Sequence, residues 1–528
     1  MKGRPKARVS QIMTVGAPTG GIDDTTSLEN MEPTFALEMV NIFPANTELQ
    51  VRYGYREWAT GLPSAARTLM TYSGGNANKL LAATDSGIYD ISVQGAVGAS
   101  IKTITDGRIN TTMFSNVATQ YLVGVNTGSD PNWLYNGTSF INFVSSGAPV
   151  NPGEIDGVNP NVWCNVCAHK KRLWFVEENS MTAWYLPVDS VAGVAQPFYL
   201  GGVFSRGGKL VNIMTWTMDA GYSVDDILVF QSSNGEIVGF GGTDPSNAGT
   251  WWQESVYYIG PPLGDRTNTD LNGDLAMLTS YGLIPLSKIV ANSNLGGPSE
   301  DSLSKRITKT LNDICRERAN NPLWEIHTFP TLQYCMIVIP AGNGRDALQL
   351  VMNMVTGAWG SFSMPVLTVG QYNNLLYFSD TTTKVYLYGI DFVDGVTLTG
   401  TGGDSILSGF TQAYYNFGQP QINKHYKLVR PIFSSINRPA YVIQISADYA
   451  PGGLAGMQDP PSVLAAASNL WDVGLWDESI WSNEFTSYYE WDGVQDIGYS
   501  ASLMIKMRTR VETSYVSANW AFELGRAL

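Results

Sequence analysis

Charge is scarce in this chain of 528 residues: Asp, Glu, Lys and Arg make up 15% of it, and histidine occurs three times, as His169, His327 and His425. So few imidazoles leave little for His-assisted nucleophilic catalysis, and no Gly-x-Ser-x-Gly elbow is present. Four cysteines are too few for a disulfide framework, so reduced thiols and assembly in a cytoplasm are expected. No apolar run approaches the ~20 residues of a membrane-spanning helix. The basic start is not followed by the apolar core of a signal peptide. Neither membrane insertion nor secretion is therefore expected. A surplus of cations is missing too, for the net charge is −14. Proteins that grip nucleic-acid phosphates use clustered Lys and Arg; duplex DNA beside this surface would slide rather than be held.

The lack of cations is sharpest from Pro439 to Ile505, which holds no Lys or Arg but carries Asp448, Asp459, Asp472, Asp477, Glu478, Glu484, Glu490, Asp492 and Asp496. The start is the opposite, with Lys2, Arg4, Lys6 and Arg8 close together. A solvated tail is the plain reading of that arm; an arm ordered on a partner is the functional one.

What is present points to β-structure. Hydrophobic residues make up 44%, enough to bury a core, and there are 54 Gly, 15 Trp and 26 Tyr. The length suggests two to four domains. An apolar strand, a tight turn and a second apolar strand recur, beginning at Leu80, Tyr121, Arg172, Asp226, Asp274, Gln333 and Asn374. The starts lie 41, 51, 54, 48, 59 and 41 residues apart. Hairpins at such intervals mark propeller blades, and stacked β-sandwiches are the competing reading. Asn136-Gly137 and Asn234-Gly235 predict type I′ turns. The unequal intervals predict insertions, over about 186–220 and 290–330. One helix is expected at 302–318, where Leu303, Ile307, Leu311 and Ile314 share a face, with Glu300 and Asp301 before it and Arg316 and Arg318 at its end. Beyond Gly403, longer alternating runs from Tyr426, Tyr441 and Ser502 predict a sandwich-like domain. The division expected is an arm and platform over 1–60, an interrupted β-propeller over 61–400 and a C-terminal β-domain over 401–528.

Chemical motifs are incomplete. Cys164 and Cys167, with His169 nearby, are half a zinc site, and tetrahedral zinc needs four ligands. Asn268 to Gly273 opens like a calcium loop, but its twelfth position is Thr279 where a bidentate Glu is needed; a turn between blades explains it. Gly342-Asn-Gly344 follows a strand but leads into a second apolar strand, where a dinucleotide fingerprint must open a helix. A carboxylate pair of glycosidase type is not something sequence excludes. Trp471, Trp476, Trp481 and Trp491 lie in the acidic stretch, where aromatics and carboxylates can make a sugar site; filling a β-core or a subunit contact is the plainer role. Neither cofactor nor metal is expected.

Several segments in order are similar to a known family. Gly20-Gly21-Ile-Asp leads to Met39-Val-Asn-Ile-Phe-Pro and Arg52-Tyr-Gly-Tyr. His169 to Glu177, Ala183 to Pro187, Leu200 to Phe204 and Trp216 to Gly221 follow, then Gly242 to Ser246, Ile259 to Gly264 and Gly282 to Ser287. This order resembles the tail hub or nozzle proteins of podoviruses, also called packaged-DNA stabilisation or tail tubular protein B-like proteins. The likeness runs from about residue 15 to 390, and the Trp-rich acidic stretch has no counterpart in it.

The resemblance implies a homo-hexameric tube in the virion tail, below the portal and the tail adaptor ring, with a propeller in each subunit and tail fibres or spikes docked outside. Double-stranded DNA would be held in the lumen and pass through it during ejection, without sequence-specific binding. It brings no catalytic residues, so an enzyme is not expected. Lumen or interface candidates are Trp471, Asp472, Trp476, Asp477, Glu478 and Trp481. Adaptor-contact candidates are Lys2, Arg4, Lys6 and Arg8. Loops over 190–209 or around the 302–318 helix are expected to close the lumen. A tailspike-type glycan-cleaving protein or a sugar-binding adhesion module is the alternative.

Overall fold

The structure, a computed structural model, describes residues 10–75, 78–126, 128, 130–219, 224–291, 302–318, 321–450, 452–463 and 485–527. Each of the seven hairpins is the second and third strand of one antiparallel sheet. The first strands of these sheets, in chain order, are Ala66–Tyr72, Asn110–Ser115, Trp163–His169, Leu210–Asp219, Asn268–Leu271, Glu325–Phe329 and Thr368–Tyr372. Five of the sheets stand alone, and the other two are the ends of one 14-stranded sheet.

Apolar cores between neighbouring sheets close the circle. Met70 and Leu81 meet Leu122 and Trp133; Val123 and Leu134 meet Leu173 and Phe175; Trp174 meets Phe230 and Trp251. Ile227 and Val229 meet Met277, and Ala276 and Leu278 meet Ile326 and Ile337. Met336 and Val338 meet Leu376 and Phe378, and Tyr377 and Leu387 return to Leu80 and Ala82 of the first sheet. Seven sheets packed face to face in a ring form a β-propeller. Its last blade takes its outer strand from far upstream: Tyr55–Thr60 pairs antiparallel with Val385–Tyr388, so the start of the ring is hydrogen-bonded to its end.

The second body is a β-sandwich. One sheet holds Ser10–Gly16, Ile42–Pro44, Leu49–Val51, Ile422–Ser435, Thr486–Tyr489, Asp492–Gly498 and Thr513–Ala527. The facing strands, Ala36–Val40, Asp404–Gln412, Ala440–Ala447 and Ala501–Thr509, belong to the 14-stranded sheet. Phe410, Ile505, Phe433, Tyr515, Trp520 and Phe522 fill the space between them. That core runs on into the propeller through Ile307, Leu311 and Trp324.

Several expectations change in detail. The helix begins later than its apolar pattern suggests: a 3-10 turn at Lys305–Ile307 precedes an α-helix over Thr308–Arg318. Glu300 and Asp301 lie outside the described residues; the amides of Lys309 and Thr310 donate to Asp24. The stretch expected as an insertion over 186–220 holds Gln196–Tyr199, the outer strand of the third blade, and Leu210–Asp219, the inner strand of the fourth. The one over 290–330 ends in Glu325–Phe329, an inner strand.

The turns also differ. Asn136 and Asn234 are not among the residues with positive φ, so neither forms a type I′ turn. The Asn136 side chain accepts from the amides of Thr138 and Ser139, which builds a longer loop. Paired positive φ, the mark of type I′, occurs at Lys170-Lys171 (42° and 60°), Asn272-Gly273 (54° and 83°) and Asn373-Asn374 (49° and 61°). The calcium-like segment is thus a hairpin within one blade rather than a turn between blades.

Candidate functional site

Inner strands of all seven blades line a cavity of 380 Å³ on the propeller axis. Thr68, Asn110, Asn165, Ile213, Asn268, His327 and Thr368 each come from a different blade. A cavity of 560 Å³ shares Asn110 and Asp265 with it and is also lined by Arg108, Glu178 and Lys209.

A charged cluster sits where these two spaces meet. Glu325 is 1% exposed. Arg266 Nη1 donates to its Oε1 at 2.8 Å, and Arg108 Nη1 lies 3.7 Å from the same oxygen. Its Oε2 accepts from Thr368 Oγ1 at 2.9 Å and lies 3.2 Å from His327 Nε2. Arg266 also donates to Thr68 Oγ1 at 2.8 Å and to the Ile109 carbonyl at 2.7 Å, and Arg108 pairs with Asp265. Burial alone would raise the Glu325 carboxyl, but Arg266, His327 and Arg108 together hold it down at about 2. Asp265 is likewise held low against its burial by Arg108 and Arg266. A carboxylate so deeply ionised, with both oxygens engaged, is a poor general acid or base. The cluster instead ties together blades that are far apart in sequence.

Burial governs the zinc-like triplet. It pushes the Cys164 thiol up to about 12 and Cys167 up to about 11, and it pulls His169 down to about 4. Thiols in that state are protonated, whereas the thiolate is the metal ligand. Cys167 Sγ and His169 Nδ1 both approach Thr215 Oγ1, at 3.6 and 3.1 Å. Among the described residues no group of three His, Cys, Asp or Glu side chains is placed to hold a metal, and no helix is long and apolar enough to cross a membrane.

The family-like segments near the start lie at the joint between propeller and sandwich. Gly21 has φ +77°, and a Cβ there would come within 2.5 Å of the Trp359 amide. Asp23, two residues on, accepts from Thr25, Thr26 and Arg306. Arg52, 1% exposed, grips Asp394 with both Nη atoms at 2.7 and 2.6 Å and donates through Nε to Asn41. Lys2, Arg4, Lys6, Arg8, Trp471, Asp472, Trp476, Asp477, Glu478 and Trp481 all lie outside the described residues. The sequence pattern did not single out Arg108, Arg266 and Glu325; their signal is a charged residue just ahead of an inner blade strand, two residues before Asn110–Ser115 and Asn268–Leu271, or at its first position, in Glu325–Phe329.

No family model matches the chain, and no curated protein matches it. Among solved structures it is similar to BBS1N in complex with ARL6DN, at 11% identity and a TM-score of 0.39, over 64% of this chain and 98% of that one. It is similar to the WD40 domain of SCAP from fission yeast at 11% identity and a TM-score of 0.25, over 58% and 67%. It is also similar to the six-bladed β-propeller fungal lectin of Aleuria aurantia at 10% identity and a TM-score of 0.26, over 59% and 94%. The propeller assignment rests on the strand pairing and the seven cores.

Proposed function

We propose that this chain is a structural subunit of a short phage tail, forming a homo-hexameric nozzle or hub between the adaptor ring and the fibres or spikes. The observation that carries this is the order of family-like segments from Gly20 to Ser287. In this reading the conduit for DNA runs between subunits. The propeller axis is crossed by the Arg266–Glu325 cluster, and its 380 Å³ cavity has no room for a duplex whose major groove alone is ~12 Å wide. The acidic balance supports it further, because a like-charged wall does not hold phosphate.

Closure of the lumen is less simple than loops alone. Residues 196–199 are a blade strand, and the 308–318 helix buries Leu311 and Cys315 in the shared core. Neither is free to swing.

Negative-stain imaging of the purified chain tests the proposal. It predicts rings or short tubes with six-fold symmetry. Elongated trimers would overturn it in favour of a spike, and monomers at high concentration would leave no nozzle.

A further inference from the structure

The charged groups on the wall of the axial cavity are already committed to one another. Arg266 uses all five of its N–H donors within the protein. Its Nε donates to Asn110 Oδ1, its Nη1 to Glu325 Oε1 and the Arg67 carbonyl, and its Nη2 to Thr68 Oγ1 and the Ile109 carbonyl. Both Glu325 oxygens are engaged, and Asp265 accepts from Arg108 and from Asn110 Nδ2. Two guanidinium groups thus balance two carboxylates. No fork is left to grip an anion, and no carboxylate is left to hold a cation.

The hydrogen-bonding groups that remain come from three other blades. Asn268 lines the cavity, and its Oδ1 is buried without a partner among the described residues. His327 engages Glu325 through Nε2, which leaves Nδ1. Thr111 adds a hydroxyl. Between them, Ile213 and Val369 supply apolar wall. An apolar occupant would bury the Asn268 oxygen unpaired, at a cost of about 1–3 kcal/mol. A hydroxyl both donates and accepts, so it suits the Asn268 amide and either tautomer of His327. At 380 Å³ the cavity is far larger than one water, which occupies ~30 Å³, and falls at the small end of ligand pockets, roughly 300–1,000 Å³.

We propose that the axial cavity binds a neutral polyhydroxylated ring of the size of one hexose. Its hydroxyls meet Asn268, His327 and Thr111, and its C–H edges lie against Ile213 and Val369. The Arg266–Glu325 cluster serves as an inert wall and takes no part in recognition. The inference does not depend on the reading of the chain as a tail subunit, since the conduit proposed for DNA lies elsewhere.

Isothermal titration calorimetry of the full-length chain tests it, with D-glucose, D-galactose and D-mannose as probes. At least one hexose is expected to bind. Glucuronate, a similar ring with a carboxylate, and cyclohexanol, a ring with a single hydroxyl, are expected to bind at least about tenfold more weakly than that hexose. Asn268→Leu is expected to weaken the hexose about tenfold, and Thr111→Val severalfold; the second variant serves if the first does not fold. No binding by any of the three hexoses would assign the cavity to water alone and overturn the inference. Tighter binding of glucuronate or cyclohexanol, or hexose affinity unchanged in the variants, would overturn it as well. A six-fold ring that takes no hexose removes this inference and leaves the nozzle reading standing; hexose binding by a chain that forms no ring does the reverse.

Discussion

Two buried charges, one in each body, are handled in different ways. On the propeller axis Glu325 is surrounded by counter-charge from Arg266 and Arg108 and by hydrogen bonds from neighbouring blades. In the sandwich, Lys424 is fully buried, and its Nζ donates to the carbonyls of Gln419, Ile422 and Tyr499 at 2.7, 3.0 and 2.7 Å. No salt bridge to it is formed among the described residues, and burial pulls its ammonium down to about 8. The axial carboxylate is stabilised in its charged form, whereas the sandwich lysine is destabilised in its charged form. The ring is locked by its charge, and the sandwich bears the cost of one.

Breaking the axial lock has the largest expected effect. Glu325→Ala leaves Arg266 and Arg108 facing each other without their shared carboxylate, and removing one partner of a buried pair costs about 3–5 kcal/mol. Denaturant unfolding measures it; a loss below ~1 kcal/mol would show that the axis is solvated and not a lock.

The acid response follows. The Glu325 carboxyl lies at about 2 in the folded chain, below its unfolded value. Its contribution is therefore present above the unfolded value of ~4.3 and is lost as pH falls towards 2, on the order of 3 kcal/mol. Glu325→Gln flattens that part of the stability curve; an unchanged curve would contradict the assignment.

The sandwich lysine gives the opposite sign at the other end of the scale. Its folded value of about 8 is below the unfolded one of ~10.4, so the unfolded chain binds more protons between them. Stability then rises across that window, on the order of 2–3 kcal/mol, and Lys424→Met removes the rise. A rise that survives in the variant would assign it to other groups.

The smallest effect lies outside both. Arg316→Ala breaks an exposed i,i+3 pair with Asp313 and changes stability by about 0.5 kcal/mol or less. A larger change would mean that the 308–318 helix carries load at its surface.

The hairpins were legible because a hairpin is local: both strands and the turn lie within one short stretch, and the starts from Leu80 to Asn374 each fell on a separate blade. The strand that closes the ring was not, since Tyr55–Thr60 pairs with residues more than three hundred positions away. Nor was the sandwich sheet, which joins Ser10–Gly16 to Thr513–Ala527. Turn types failed where side chains competed with the backbone, as at Asn136. The axial cluster was hidden for a similar reason. Arg108, the adjacent pair Asp265-Arg266, and Glu325 come from three separate stretches of the sequence and converge because the ring brings its inner strands together. The apolar pattern of the 308–318 helix was visible, but its capping by Asp24 required the fold.

A cryo-EM reconstruction of the self-assembled chain tests the central claim most directly. The account predicts a six-fold particle in which each propeller axis is closed by the Arg266–Glu325 cluster and the duplex-wide opening lies between subunits. A trimeric particle, or a duplex-wide opening along the propeller axis itself, would contradict it.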